Sequence, residues 1–159
     1  MTPNLSERFA KDRGAPQDVC GVTVHNIFRR PLNADQIIRV RRLHASAIPV
    51  QGLRLKIDGG FFLINGQRLK DTVLWADSAP AELEMRCSLR TSEGELKVWN
   101  CWRDSSGAMQ AWIGDAGMII EGIEHRTRLR CSDGSHPFSP TDLEIELDFR
   151  QELTASTID

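Results

Sequence analysis

Apolar and polar residues alternate along most of the chain after residue 50. The clearest alternation covers residues 142–149, and similar segments cover 53–58, 82–90 and 126–131. A repeat of two residues is typical of a β-strand with one buried face. Turn residues separate these segments, and the connections are too short for the helical crossovers that a parallel sheet needs. The pattern predicts a mainly β fold, an antiparallel β-sandwich of the jelly-roll kind, with a flattened barrel as the alternative.

A tight hairpin is predicted at the dipeptide Asn65-Gly66. It lies between two apolar segments, residues 61–64 and residues 67–75. Asn and Gly readily adopt the positive φ values that the central residues of a two-residue hairpin turn require. The sequence therefore predicts two antiparallel strands joined by this turn.

One segment before residue 50 has a different period. Asn33 is a good helix N-cap, and Gln36 follows three residues later as a capping-box partner. Apolar residues then recur at helical spacing, at Ile37, Val40, Leu43 and Ala47. Pro49 cannot continue a helix and disfavours helical geometry in the residue before it. We therefore predict the one helix of the chain at about residues 34–47.

The length of the chain, 159 residues, is that of one compact domain. We assign residues 20–150 to a single β-sandwich domain. Residues 1–19 are polar, contain two prolines and show no sustained period, so they are predicted to form a flexible N-terminal arm. The polar residues 151–159 are predicted to form a flexible C-terminal tail.

No apolar segment is long enough for a membrane helix or a secretory signal. The longest apolar runs, such as residues 61–64 and 116–120, are far shorter than the roughly 20 residues that cross a bilayer. Charged residues occur throughout the first thirty positions, where a signal peptide would have an apolar segment. We therefore expect a cytoplasmic protein that does not contact membranes.

Charge is unevenly distributed along the chain. Residues 25–70 include nine basic and two acidic residues, whereas residues 71–159 include eight basic and seventeen acidic ones. The net charge of −2 argues against a dedicated nucleic-acid-binding protein. We expect the two halves to neutralise each other within the fold, with binding of an anionic polymer by the basic region 29–42 as a weaker alternative.

Two charged rows on neighbouring strands are predicted to pair with each other, because opposite charges across strands stabilise one register. The rows are Arg126, Arg128 and Arg130 on one strand and Glu144, Glu146 and Asp148 on another.

The four cysteines are predicted to be free thiols, because the expected compartment is reducing. They are Cys20, Cys87, Cys101 and Cys131. Cys87 and Cys131 fall on the apolar phase of alternating segments, where cysteine behaves as a small core residue.

Tryptophans on two neighbouring strands suggest a ligand-binding surface. Strand alternation places Trp99 and Trp112 on the same side of a predicted hairpin. Lys97, Arg103 and Gln110 are expected nearby. Two exposed indoles with these polar neighbours would form a flat platform for a sugar ring, a base or a peptide aromatic. The alternative is that all four tryptophans are packing residues.

A loop near the end of the chain suggests a different function. Cys131, Asp133 and His136 occur within six residues of one another, as a thiol enzyme or small hydrolase could use them. However, the chain contains no CxxC, HxH, HExxH or GxSxG motif, and residues adjacent in a loop seldom point at one another.

The leading hypothesis is therefore a non-enzymatic binding or protein-interaction module. It would bind another protein or a small polar ligand through the tryptophan-bearing sheet face or the polarised surface. No cofactor and no metal ion is implied by any motif. Exposed sheet edges make a homodimer or another homo-oligomer a further expectation.

Overall fold

The protein folds into antiparallel β-sheets with one short helix. The structure is a computed structural model that describes residues 2–153, with side chains described for residues 2–149. In chain order, the elements are α1 (Leu5–Lys11), β1 (Gln17–Val19), β2 (Val22–Val24), β3 (Phe28–Leu32), β4 (Asp35–Ala45), β5 (Gln51–Asp58), β6 (Gly60–Ile64), β7 (Gln67–Leu69), β8 (Asp71–Trp75), β9 (Glu82–Leu89), β10 (Gly94–Arg103), β11 (Met109–Gln110), β12 (Gly117–Ile123), β13 (Arg126–Ser132) and β14 (Leu143–Leu153).

Two large sheets form the body of the fold, and β1 and β2 form a small third sheet. The five-stranded sheet contains β8, β5 and β10 in that order, with β3 and β11 both paired to the far edge of β10. The seven-stranded sheet has the order β12-β13-β14-β4-β9-β6-β7. All of these pairs are antiparallel, and neither sheet closes on itself within residues 2–153. The predicted antiparallel sandwich is therefore confirmed, and the barrel alternative is not adopted.

One hydrophobic core joins the inner faces of the two large sheets. Its members from the five-stranded sheet include Leu53, Leu55, Leu96 and Val98. Its members from the seven-stranded sheet include Ile38, Phe62, Met85, Leu129 and Leu147. Cys87 and Cys131 are fully buried in the same core, as predicted, and the cysteines are free thiols. Removal of this apolar surface from water is the main force that holds the sheets together.

The prediction of a helix at residues 34–47 is wrong, because this segment contains the strand β4. Gln36, Ile38 and Val40 are its buried positions, which is the two-residue period of a strand. A register shift between β4 and β14 leaves Leu43 as an extra residue, so the strand period is interrupted there. β-Branched residues favour strands, and pairing with β9 and β14 overrides the local helical spacing.

The segment predicted as a flexible N-terminal arm contains α1 and β1. Leu5 and Phe9 on α1 are buried in a second hydrophobic cluster with Val24 of β2. At the other end, β14 continues to Leu153, within the predicted C-terminal tail. The remainder of that tail, residues 154–159, lies outside the described residues. The helix α1 has seven residues, and no helix in the described part of the chain is long and apolar enough to span a membrane.

The hairpin predicted at Asn65-Gly66 is confirmed. It joins β6 to β7, and both turn residues have positive φ values, +50° and +79°. A glycine turn just before this hairpin moves the chain from one sheet to the other. Gly59, with φ +78°, lies between β5 of the five-stranded sheet and β6 of the seven-stranded sheet, so the chain changes sheets there.

The predicted pairing of charged rows is also confirmed, and it extends across five strands. β13 places Arg126, Arg128 and Arg130 opposite Asp148, Glu146 and Glu144 of β14. On the other side of β14, β4 contributes arginines that in turn pair with acids of β9. We call this surface the charged face, and its members are Glu121, Arg126, Arg128, Arg130, Glu144, Glu146, Asp148, Arg39, Arg41, Glu82 and Glu84.

Candidate functional site

A groove of about 600 Å³ lies between the N-terminal segment and the chain around the start of β3. One side consists of Ser6, Phe9, Ala10, Arg13 and Gly14, and the other of Asn26, Ile27, Arg29 and Trp112. Small-molecule sites in proteins typically have volumes of about 300–1,000 Å³ and mostly apolar linings with a few polar groups. This groove, called the Trp112 groove below, has both properties.

Trp112 is held in the groove wall by three separate features. Its ring stacks on Trp99, with 4.8 Å between ring centroids and 26° between planes. Its indole Nε1 donates a hydrogen bond to the backbone carbonyl of Asn26 at 2.7 Å. Its backbone has φ +58°, a left-handed conformation that is rare for a bulky side chain. The ring is therefore fixed in position although it is 45% exposed.

The opposite wall is the helix α1, which is anchored at its N-terminus. The side chain of Asn4 accepts a hydrogen bond from the backbone N–H of Glu7 and so caps the helix. The backbone N–H of Leu5 donates to Asp115 Oδ1 at 3.1 Å, and that of Ser6 donates to the Gly114 carbonyl at 2.9 Å. These bonds join α1 to the turn that follows Trp112, so both walls of the groove are connected.

The charged residues that line the groove are both arginines. The Arg29 guanidinium forms an ion pair with Glu95 at 3.1 Å, and Lys97 shares that carboxylate at 3.7 Å. The guanidinium of Arg13 and the side-chain amide of Asn26 make no hydrogen bond or ion pair with the described residues. The groove therefore combines an aromatic wall with two cations and unused hydrogen-bond donors.

The predicted platform of two exposed indoles is wrong, because Trp99 is buried, with 5% of its surface exposed. Trp112 covers it instead of lying beside it. Stacking brings the two rings together on one side of the sheet, but Trp112 lies after the end of β11 at Gln110 and not on a strand as predicted. Of the other two tryptophans, Trp102 is buried and Trp75 is half-buried. The indole Nε1 of Trp99 is buried without a hydrogen-bond partner among residues 2–149.

The other predicted binding residues, Lys97, Arg103 and Gln110, lie outside the groove lining. Lys97 forms an ion pair with Asp58 at 2.7 Å. Arg103 stacks over the ring of Trp75 and forms an ion pair with Asp77. Gln110 donates a hydrogen bond to Asp104.

These contacts belong to the outer surface of the five-stranded sheet. We call it the aromatic face, and its members are Trp75, Trp99, Arg54, Lys97 and Arg103 with their acidic partners.

The loop residues Cys131, Asp133 and His136 are not joined by hydrogen bonds to one another in the described structure. Burial raises the pKa of the Cys131 thiol, which disfavours the nucleophilic thiolate. Asp133 accepts hydrogen bonds from the side chain of Gln51 and the backbone of Ser135.

The exposed imidazole of His136 pairs through Nδ1 with Asp115 at 2.6 Å. No group of three or more His, Cys, Asp and Glu side chains that could hold a metal ion occurs within the described residues. This geometry does not favour the thiol-enzyme alternative.

Most of the groove lining comes from the segment that the sequence indicated as a flexible arm. The signal that could have revealed it is short: Asn4 and Glu7 have the spacing of a helix cap, and Leu5 and Phe9 have that of one helical face. The chain matches no protein-family model, no curated protein and no solved structure.

Proposed function

We propose that this protein is a non-enzymatic binding module that holds a small ligand with a planar ring in the Trp112 groove. The observation that supports this proposal most strongly is the position of Trp112. A large aromatic residue is held at positive φ, with its indole N–H already bonded and nearly half of its surface exposed. Backbone strain of this kind is concentrated at functional sites, where the surrounding structure maintains it.

The stacking of Trp112 on Trp99 supports a role for the ring as a preformed binding surface. A fixed indole loses little conformational entropy when a second ring stacks on it, so more of the contact energy contributes to affinity. Stacking on an aromatic side chain stabilises a bound base by about 1–3 kcal/mol and tolerates different ring chemistries. Phe9, Ala10 and Ile27 add apolar surface to the same groove.

The size of the groove favours a small molecule over an extended protein partner. A volume of about 600 Å³ accommodates a ring system with one or two substituents. A protein partner would typically bury about 800 Å² on each side. We therefore place the small-ligand form of the binding hypothesis ahead of the protein-interaction form.

The experiment that tests this proposal uses adenosine and adenosine monophosphate (AMP) as planar probes. Saturable quenching of tryptophan emission is expected for the wild-type protein with at least one probe. The Trp112→Gly variant should lose this binding, since glycine keeps the left-handed backbone but removes the ring.

The matched control is Trp75→Phe, which changes a tryptophan outside the groove and should retain binding. If neither probe binds the wild-type protein, or if Trp112→Gly binds as well as the wild type, the proposal is contradicted.

A further inference from the structure

We infer that the ligand of the Trp112 groove carries an anionic group, a carboxylate or a phosphate, attached to its planar ring. This inference rests on the proposed function and adds the charge of the ligand to it. The groove lining contains two guanidinium groups, from Arg13 and Arg29, and no carboxylate. A neutral or cationic ligand would leave the Arg13 guanidinium without a counter-charge.

The ion pair of Arg29 lies at the surface. The Arg29 side chain is 56% exposed, and its partner Glu95 also lies 3.7 Å from the ammonium of Lys97, which pairs more closely with Asp58 at 2.7 Å. Glu95 is itself half-exposed at the surface, where solvent weakens the ion pair. An incoming anion at Arg29 would therefore compete with Glu95 for a guanidinium whose existing ion pair solvent already weakens.

Arg13 provides the second cation, from the other wall of the groove. It immediately follows the C-cap residue of α1, Asp12, in a left-handed backbone conformation with φ +56°. Its guanidinium has no partner among the described residues. Asn26, which also lines the groove, offers an amide N–H₂ that no described residue uses. Both walls of the groove thus contribute hydrogen-bond donors that favour a ligand with an oxyanion.

Arginine is well suited to this task because its planar fork donates two parallel hydrogen bonds to a carboxylate or phosphate. The same ligand would stack its ring on the exposed part of Trp112. The two contacts recognise different features of one molecule, the ring and the charge. A planar anion is therefore the chemical class that the lining fits best.

The test compares two pairs of probes that differ mainly in charge: adenosine with AMP, and nicotinamide with nicotinate. Affinities are measured by isothermal titration calorimetry on the full chain at low and high NaCl concentration. We expect each anion to bind about 5- to 10-fold more tightly than its neutral counterpart at low salt. This advantage should shrink at high salt, because the arginines are near the surface.

The variants Arg13→Gln and Arg29→Gln should each reduce AMP affinity several-fold towards that of adenosine, with little change for adenosine. The matched control is Lys11→Gln, which removes one positive charge two residues before Arg13, at the exposed end of α1 and outside the groove lining. It should leave AMP affinity unchanged. Thermal unfolding of each variant checks that the fold is retained.

The outcomes separate this inference from the proposed function. Equal binding of AMP and adenosine, both lost in Trp112→Gly, would overturn the anionic group and leave the ring-binding groove intact. Two results would overturn the inference by showing attraction to surface charge alone. In one, AMP still binds Trp112→Gly; in the other, inorganic phosphate displaces AMP as effectively as AMP itself binds. Absence of binding by all four probes would overturn the proposed function as well.

Discussion

The outer surfaces of the two large sheets differ in how their charged side chains are used. On the charged face, strands of opposite sign alternate, and each row meets acids or bases on its neighbours. On the aromatic face, arginines lie over tryptophan rings: Arg54 over Trp99 and Arg103 over Trp75. On the charged face, side chains of opposite charge pair between neighbouring strands. On the aromatic face, arginine side chains stack on tryptophan rings.

This difference explains why the candidate site lies beside the aromatic face. Cross-strand ion pairs fix strand order and register, and they use the charged side chains of this face in contacts between neighbouring strands. Stacked rings extend away from the sheet, and Trp112 over Trp99 forms a wall that α1 faces across the groove. The charged face therefore specifies strand register, and the aromatic face supports the Trp112 ring that lines the candidate groove.

The largest expected effect is on the packing of the aromatic face. A Cβ at Gly52 would lie 2.7 Å from Cε3 of Trp75 and 3.1 Å from the Cys101 sulfur. Gly52→Ala should therefore displace the Trp75 ring and lower the free energy of unfolding by about 2 kcal/mol, measured by urea denaturation.

The matched control is Gly122→Ala on β12 of the other sheet, where a Cβ would meet nothing within 4 Å. It should leave stability unchanged or slightly raised. Equal destabilisation by the two substitutions would contradict the layered packing of the aromatic face.

The second effect concerns the backbone of Trp112. Replacement by Ala and by Gly removes the same ring, but only Gly adopts φ +58° without a Cβ penalty. Trp112→Gly should therefore be more stable than Trp112→Ala by about 1 kcal/mol in chemical denaturation. If the alanine variant is the more stable of the two, the residue does not have the left-handed conformation.

The third effect is on the charged face and depends on salt. Glu146 lies between Arg128 and Arg41 in the strand register, and its carboxylate is 3.4 Å from the Arg41 guanidinium. Glu146→Lys places three cations side by side and should cost about 1 kcal/mol of unfolding free energy at low salt. The loss should be smaller in 0.5–1 M NaCl than at low salt, because salt screens the repulsion.

Glu93→Lys is the control for this change in net charge, since Glu93 is exposed and its side chain has no ion pair in the described residues. It should alter stability little at any salt concentration. A salt-independent loss in Glu146→Lys would point to a packing defect instead of charge repulsion.

The smallest effect is on acid stability. Hydrogen bonds from Arg54 hold the pKa of Asp71 below its ordinary value. The folded pKa is thus lower than the unfolded pKa, so Asp71 contributes stability above about pH 4 and loses it as the pH falls through the folded pKa. Asp71→Asn should make the acid-induced loss of stability less steep between pH 5 and 2, as followed by urea midpoints.

Asp142 provides the contrast, because burial raises its pKa. It contributes stability at low pH that is lost as the pH rises through its folded pKa. Asp142→Asn should therefore make the acid-induced loss steeper. If the acid-induced loss of stability becomes steeper in both variants, or less steep in both, the opposite pKa shifts assigned to Asp71 and Asp142 are contradicted.

The sequence predicted those parts of the fold that depend on local alternation and on charge. The two-residue period of β14 and the opposite signs of β13 and β14 were sufficient to predict both strands and their pairing. The local pattern does not predict the strand β4, because its extra residue at Leu43 interrupts the period and its partners are distant in sequence. Its conformation is determined by pairing with strands that are distant in sequence, and a short stretch of sequence does not include those partners.

The candidate site was predicted only in part, for a similar reason. Alternation predicts that Trp99 and Trp112 lie on the same side of the sheet, but β11 ends at Gln110, and the left-handed backbone at Trp112 places its ring over that of Trp99. The opposite wall, α1, is too short to show a sustained hydrophobic period. Its docking depends on Leu5 and Asp115, which are 110 positions apart in the chain.

The central claim, that Trp112 forms the wall of a binding groove, is tested most directly by the four tryptophan indole N–H resonances in a ¹H–¹⁵N spectrum. On addition of AMP, we predict large shifts for Trp112 and smaller ones for Trp99, with those of Trp75 and Trp102 unchanged. An unchanged Trp112 resonance at saturating AMP, or shifts confined to Trp75, would contradict the account.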